Sequence, residues 1–278
     1  MALFRIRENP VARHAGRWTS PRNRRWIAFG LLVGIAVLTG LLQRYWLEVS
    51  VYSGARPELA TRWLTLAILS EALLIVPWAA ARGTFGWRRL VESGSLDDYR
   101  RTRLTTPSIV AGSLWAALAP IGWLVATSGV VSAAAAVLAG ADISLGGLIA
   151  AHGLLAALGL VAGAAGQAAG GGRRSWLAAP TALLLLGAAS TLILALNPFY
   201  ARMAHPTVWI HWALLPNPIT ALGAVLGADV LRYPTIYPLT HAHEYFFVYP
   251  PAWQTGMLYL LLAAAALAWQ TQRVGRSV

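Results

Sequence analysis

The sequence has no cysteine, and reading along it finds no lysine either: all 22 of its basic Lys+Arg positions are arginine. Without cysteine there is no disulfide framework, no thiolate metal site and no cysteine nucleophile. A P-loop needs a lysine to reach the β- and γ-phosphates of a nucleotide, so the chain lacks a standard Walker A ATPase site. Charge is scarce as well. Only 12% of the residues are charged, with 10 acids in 278 positions, where an ordinary soluble domain carries about a quarter. So few charges do not cover a water-soluble globule of this size. Disorder is excluded from the other side, because hydrophobic residues make up 57% of the chain and disordered chains are poor in them. A polytopic, all-α membrane protein is the class that remains.

What is present is long apolar runs. A helix needs about 20 mostly apolar residues to cross the hydrocarbon core. Six runs qualify, near 26–43, 60–81, 108–131 (continuing weakly to 139), 143–169, 176–196 and 253–269. Trp26, Tyr45, Trp46, Trp63, Trp176, Trp253 and Trp269 stand near their ends, where aromatic belts sit at headgroup level. Arginine counts orient the spans. Seven lie in residues 1–25, six in 82–107, two at 173–174 and two in the tail, seventeen in all. Only Arg44, Arg56, Arg62, Arg202 and Arg232 fall on the other side. The excess places both termini in the cytoplasm, and six spans satisfy the parity. The net charge of +12 is then a collar facing anionic headgroups, and no nucleic-acid partner is needed to explain it. The first apolar run follows a long basic stretch and has no small-residue cleavage site, so it reads as a retained signal-anchor.

Residues 198–251 separate the last two spans. Their apolar stretches, 208–215 and 219–231, are each too short to cross and are parted by Pro216-Asn217-Pro218. Prolines at such positions break a helix. Two short re-entrant helices fit; an extra pair of spans is the alternative and would keep the topology. His241-x-His243-Glu244 lies in the same segment. Three neighbouring donors do not make a tetrahedral metal site, and the aromatic residues after them favour an interfacial loop.

Gly30-x-x-x-Gly34, Gly159-x-x-x-Gly163 and Gly166-x-x-x-Gly170 let helices approach closely. Packing within the chain is the plainer reading and a dimer seam the other. Pro77 and Pro120 stand inside spans, where proline kinks a helix. Glu71 stands near the centre of the second span. A lone carboxylate there costs at least about 3 kcal/mol, so Glu71 is either a group on a substrate pathway or a neutral carboxyl bonded to a neighbouring helix. His152, in the fourth span, poses the same choice, with structural bonding favoured.

The segment 82–107 is the richest in polar residues. Ser95-x-x-Asp98 fits a loose capping box with Ser95 as N-cap. Asp97 and Asp98 in a first turn and Arg100, Arg101 and Arg103 in a last turn suit the helix dipole. The expectation is a short helix over 96–104, stopped by Thr105-Thr106-Pro107, with Leu96, Tyr99, Arg100 and Arg103 along one side. A capped helix between two spans is suited to docking a cytoplasmic partner; a solvated connector is the plainer alternative.

Glu92-Ser93-Gly94-Ser95-Leu96, followed by Leu104 to Gly112, resembles the E-x-G-T-L…L-T-P-L-S…I-x-x-G-K pattern of ABC-2-type transporter permeases. Ser95 stands where that pattern has threonine, and Ser113 follows Gly112 where it has lysine. Asn9-Pro10-Val11, Pro216-Asn217-Pro218 and Tyr249-Pro250-Pro251-x-Trp253 are also similar to family segments, so the resemblance runs through nearly the whole of residues 1–278 as one transmembrane domain. It implies six spans, an amphipathic interfacial helix within residues 1–25, a coupling helix in 82–107 and re-entrant helices before the last span. Its coupling residues would be Glu92, Gly94, Ser95, Leu96, Asp98, Tyr99, Arg100, Arg103 and Pro107. It further implies an exporter in a prokaryotic cytoplasmic membrane, paired with a second permease subunit (the same chain or another) and with separate ABC ATPase subunits. Those subunits would hold ATP and Mg²⁺; this chain would bind no cofactor.

Competing classes are a secondary transporter, a non-transporting membrane scaffold and an intramembrane hydrolase. The first usually shows broken helices in paired repeats, and no repeat is visible. For the last, H-E-x-x-H is absent, and Thr127-Ser128-Gly129 with His152 is only a partial Ser/His pattern, with Ala126 where a G-x-S-G motif has glycine.

Overall fold

The computed structural model describes residues 10–11, 56–102, 104–170, 177–200, 202–229, 231, 244–245 and 247–276. The described residues are helical, with no strand among them. The expected first span at 26–43, with its Gly30-x-x-x-Gly34, lies outside the described residues, as do Arg103, His241, His243 and residues 12–25 of the N-terminal segment.

The order is α1 (Arg56–Glu92), α2 (Ser95–Arg100), α3 (Thr106–Ala139), α4 (Leu145–Ala169), α5 (Ala178–Ala195), α6 (Asn197–Tyr200), α7 (Pro206–Leu214), α8 (Pro218–Val225) and α9 (Ala252–Arg276). Among the described residues five helices are long and apolar enough to cross a membrane: α1, α3, α4, α5 running into α6, and α9. They fall on the second to sixth expected spans.

Their ends follow local chemistry. Ser144 caps α4, its Oγ accepting from the Gly147 amide at 3.0 Å. Asn217 caps α8 by accepting from the amides of Ile219 and Thr220, and its Nδ2 donates to the Ser190 carbonyl of α5 at 2.9 Å. A side-chain oxygen satisfies amides that a helix start otherwise leaves open. The break at 216–218 therefore yields two short helices, α7 and α8, as the prolines imply.

Helix α4 is the axis of the bundle, packed most extensively on α1 and then on α9 and α3. Its small residues set that distance. A Cβ on Gly166 would stand 2.1 Å from the Ala80 carbonyl oxygen, and one on Gly83 of α1 would stand 2.1 Å from the Gly163 carbonyl oxygen. Thr84 Oγ bridges the seam, 2.8 Å from both the Ala80 and the Gly166 carbonyl oxygens. The Gly159/Gly163 and Gly166/Gly170 pairs thus serve packing within the chain. Larger side chains fill the centre: Ile68, Ile75, Leu155 and Leu222 are fully buried there.

The segment 82–107 departs from expectation in three ways. First, α1 runs on to Glu92 instead of ending near Ala81. Gly83 and Gly86 beside three arginines look like loop, yet Thr84, Trp87 and Leu90 are buried at helical spacing, and no proline interrupts them. The extension adds about 16 Å beyond the apolar run. Second, Ser95 is not an N-cap. Gly94 holds the cap position at φ 71°, with no side-chain cap bond, and Ser95 is the first helical residue, its Oγ 2.8 Å from that of Ser93. A left-handed turn is cheap only for glycine, and it swings the chain sharply from α1 into α2. Third, α2 ends at Arg100 rather than Leu104. Thr105 and Pro107 do not stop it; they open α3, Thr105 as its cap residue and Pro107 in its first turn, where proline loses no hydrogen bond.

Candidate functional site

Two places collect the residues singled out by sequence. The first is at membrane depth, between α1, α3 and α4. Glu71 is only 3% exposed. Ser128 of α3 donates to Glu71 Oε2 at 2.8 Å, and the same hydroxyl lies 3.1 Å from the Val125 carbonyl. His152 of α4 places Nε2 4.0 Å from Glu71 Oε2, while its Nδ1 lies 2.9 Å from the Leu148 carbonyl. A carbonyl only accepts, so Nδ1 carries a proton. Nε2 has no hydrogen-bond partner among the described residues and faces the carboxyl group. One proton between Nε2 and Oε2 leaves the pair neutral overall, the cheap state at this depth. Gly129 makes room for the ring, since a Cβ there would stand 3.3 Å from His152 Cδ2.

Sequence reading flagged Glu71 and His152 separately. It met Ser128 only as part of a weak hydrolase pattern, and it had no signal that the three converge. The order of contacts is not that of a Ser–His–carboxylate triad. A nucleophilic serine needs the imidazole beside its hydroxyl, with the carboxylate behind the imidazole. Here the carboxyl group stands between serine and histidine.

The second place is the elbow formed by α2 on the end of α1. Leu96 is buried against Trp87, Leu90, Ile109, Val110 and Val274. Val11 packs into the same cluster, beside Leu96 of α2 and Val274 near the end of α9. Tyr99 and Arg100 are half-buried. Arg100 donates to the Val274 carbonyl at 2.8 Å and to Asp97 at 3.4 Å. Burial first, and Asp98 beside it second, hold the Tyr99 phenol above its ordinary pKa, so it stays a neutral donor at physiological pH. Arg273 closes this end by donating to the Ala168 carbonyl at 3.3 Å and lying over the Trp269 ring. The side of α2 expected to greet a partner, Leu96 to Tyr99 to Arg100, is therefore the side that fastens it to its own bundle. The outward side presents Asp97 and Asp98, flanked by exposed Glu92, Gly94 and Pro107.

No group of three or more metal-ligating side chains occurs among the described residues. At the opposite end, Tyr200 donates to the Ile193 carbonyl at 2.9 Å, and Tyr249 hydrogen-bonds Asp229. Together with Ile210 and Leu214 these residues lock α7 under the end of α5.

Five apolar helices around a common core make this a helical, multi-span membrane protein. No family model, curated protein or solved structure matches the chain.

Proposed function

We propose that the chain is the membrane-spanning permease subunit of an ATP-driven ABC-2-type transporter, an exporter, whose ATPase is a separate polypeptide. The observation that carries the reading is the elbow. A short helix sits on a rigid extension of a spanning helix, anchored inward by Leu96 and Arg100 and presenting carboxylates outward. A push on α2 is delivered to α1, α3 and α9 together, because all three contribute to the cluster beneath it. Rigid-body motion of packed helices is a common way to switch a transport pathway. The pattern from Glu92 to Gly112 supports the same reading; residues 1–278 hold no lysine for a Walker A site, so in this reading the ATPase lies outside them.

In this reading the bundle lies in a prokaryotic cytoplasmic membrane with the elbow and both termini inside, the seventeen-arginine side. The run at 26–43 is the first span and completes the six, preceded by an interfacial helix, and α7 and α8 re-enter the outer leaflet. Two such subunits, identical or different, flank the pathway. Glu71 fastens three helices rather than contacting substrate, since its carboxyl group is buried and bonded to Ser128.

Purification of tagged full-length protein from its native membrane tests the reading. A Walker A-containing ATPase should co-purify, and Asp97→Lys with Asp98→Lys should release it while leaving the chain folded. If the double variant retains the ATPase, α2 is not the coupling element. If no ATPase accompanies the wild type and the reconstituted chain moves solutes on an ion gradient alone, the secondary-transporter reading replaces this one.

A further inference from the structure

A slot of about 330 Å³ runs between α5 and α9, floored by α4 and α1. It exists because its two walls pack on different partners. Helix α5 rests on α1 and helix α9 on α4, and the two walls hardly touch each other. The floor is buried: Val76 and Ala80 of α1, Leu158 and Ala162 of α4. The mouth is exposed: Ala165 of α4, between Leu185 of α5 and Leu262 of α9. The slot therefore opens sideways, on the surface that the spanning helices turn to the bilayer. One end is closed. There Pro216 and Pro218 line the slot beside Tyr259 of α9. Tyr259 donates to the Pro216 carbonyl at 3.1 Å, Thr255 to the Leu215 carbonyl at 3.0 Å, and Asn217 to the Ser190 carbonyl of α5 at 2.9 Å. The 216–218 break is thus tied to both walls and makes a fixed stop. The other end lies at Ala178, in the first turn of α5, on the elbow's side of the bundle.

Length and lining together select the occupant. From Ala178 to Ala189 the α5 wall is roughly 16 Å long. One leaflet's acyl chains fill about 15 Å, half of the hydrocarbon core. Thr181 and Tyr259 are the polar side chains among the described lining residues; Tyr259 is engaged with Pro216, and Thr181 stands at the open end. A polar ligand in the slot would lose its hydrogen bonds to water without replacement. Small residues on both the α4 and α5 sides, among them Ala162, Gly166, Ala182 and Ala189, keep the slot free of protruding side chains along its length. Inside a bilayer the lipid is as apolar as the helices, so attraction comes from close packing and shape decides which chain is held. We propose that this slot is a binding site for one unbranched acyl chain of a membrane phospholipid, drawn from the leaflet on the elbow's side. The chain enters sideways past Leu185 and Leu262, and its methyl end stops against Tyr259 and Pro216. It supplies the packing that α5 and α9 do not give each other. The site rests on the membrane placement of the bundle and is independent of any ATPase partner.

The test is native mass spectrometry of full-length protein titrated with three lipids: dipalmitoyl phosphatidylglycerol, dipalmitoyl phosphatidylcholine, and phosphatidylglycerol with methyl-branched phytanoyl chains. Wild type should retain one palmitoyl lipid in preference to the phytanoyl lipid by about tenfold, the scale of forcing extra methyl groups into a packed space. The two palmitoyl lipids should be retained equally, because the slot holds only the tail. Ala182→Trp fills the slot from the α5 wall and should lose the bound lipid. Ala165→Trp blocks the mouth from an exposed position, where the larger side chain displaces no packed neighbour, and should lose it too. Leu184→Trp, on the outward side of α5 where Leu184 is 73% exposed, should retain it. Equal retention of palmitoyl and phytanoyl lipids, or undiminished retention in Ala165→Trp, would show a general lipid shell and overturn the site. Equal loss in Leu184→Trp would overturn the placement in the slot. A preference that follows the headgroup rather than the chain would overturn the acyl-chain assignment.

Discussion

Glu71 shows how one side chain can connect three helices. Its carboxyl group joins α1 to Ser128 on α3 and faces His152 on α4. Glu71→Gln keeps a polar amide at the position of Oε2, which either accepts from Ser128 or donates toward Nε2, so stability should change by less than about 1 kcal/mol. Glu71→Leu removes the Ser128 hydrogen bond and the only polar group facing His152 Nε2 among the described residues, a loss of about 1–3 kcal/mol. Thermal unfolding in detergent should separate the two variants clearly; equal melting temperatures would show that the cluster fastens nothing. Glycine contacts are equally specific. Gly166→Leu forces a side chain into the Ala80 carbonyl, and overpacking of this kind costs about 1–3 kcal/mol or more. Gly187→Ala, with nothing within 4 Å of its Cβ, should be neutral or stabilising by up to about 1 kcal/mol. The same unfolding assay compares them.

At the scale of elements, the apolar runs at 143–169 and 176–196 foretold their helices to within about two residues, because each run ends at residues that stop or cap a helix; the run at 108–131 foretold the start of α3 but fell eight residues short of its end at Ala139, where the weak continuation is helical too. The elbow was harder to read. Its glycines and arginines have loop composition, and what makes 82–92 helical is a stripe at Thr84, Trp87 and Leu90 that has meaning only once α4 and α2 cover it. The capping box at Ser95 failed for a related reason. Gly94 turns left-handed, and the helix starts one residue earlier than a side-chain cap requires. Gly94→Ala should therefore cost about 1–2 kcal/mol of left-handed strain and re-aim α2. Co-purification of the ATPase should weaken in this variant although no outward residue has changed; undiminished co-purification would mean that the angle of α2 is unimportant.

Across the whole molecule, the class was legible from composition, because a chain with so few charges has only a bilayer in which to bury its surface. The candidate sites were half legible. Glu71 and His152 announce themselves as ionisable groups in apolar runs. Their meeting with Ser128 depends on how α1, α3 and α4 turn about the glycine seam, which no local pattern encodes. The central claim is that the elbow hands the work of a separate ATPase to the bundle. A photo-crosslinking amino acid placed at Asp98 in living cells tests it most directly, with Val248, exposed at the opposite end, as the control position. The account predicts that Asp98 yields an adduct with a Walker A-containing polypeptide and that Val248 does not. Crosslinks from Asp98 to lipid alone, or the same ATPase adduct from Val248, would contradict it.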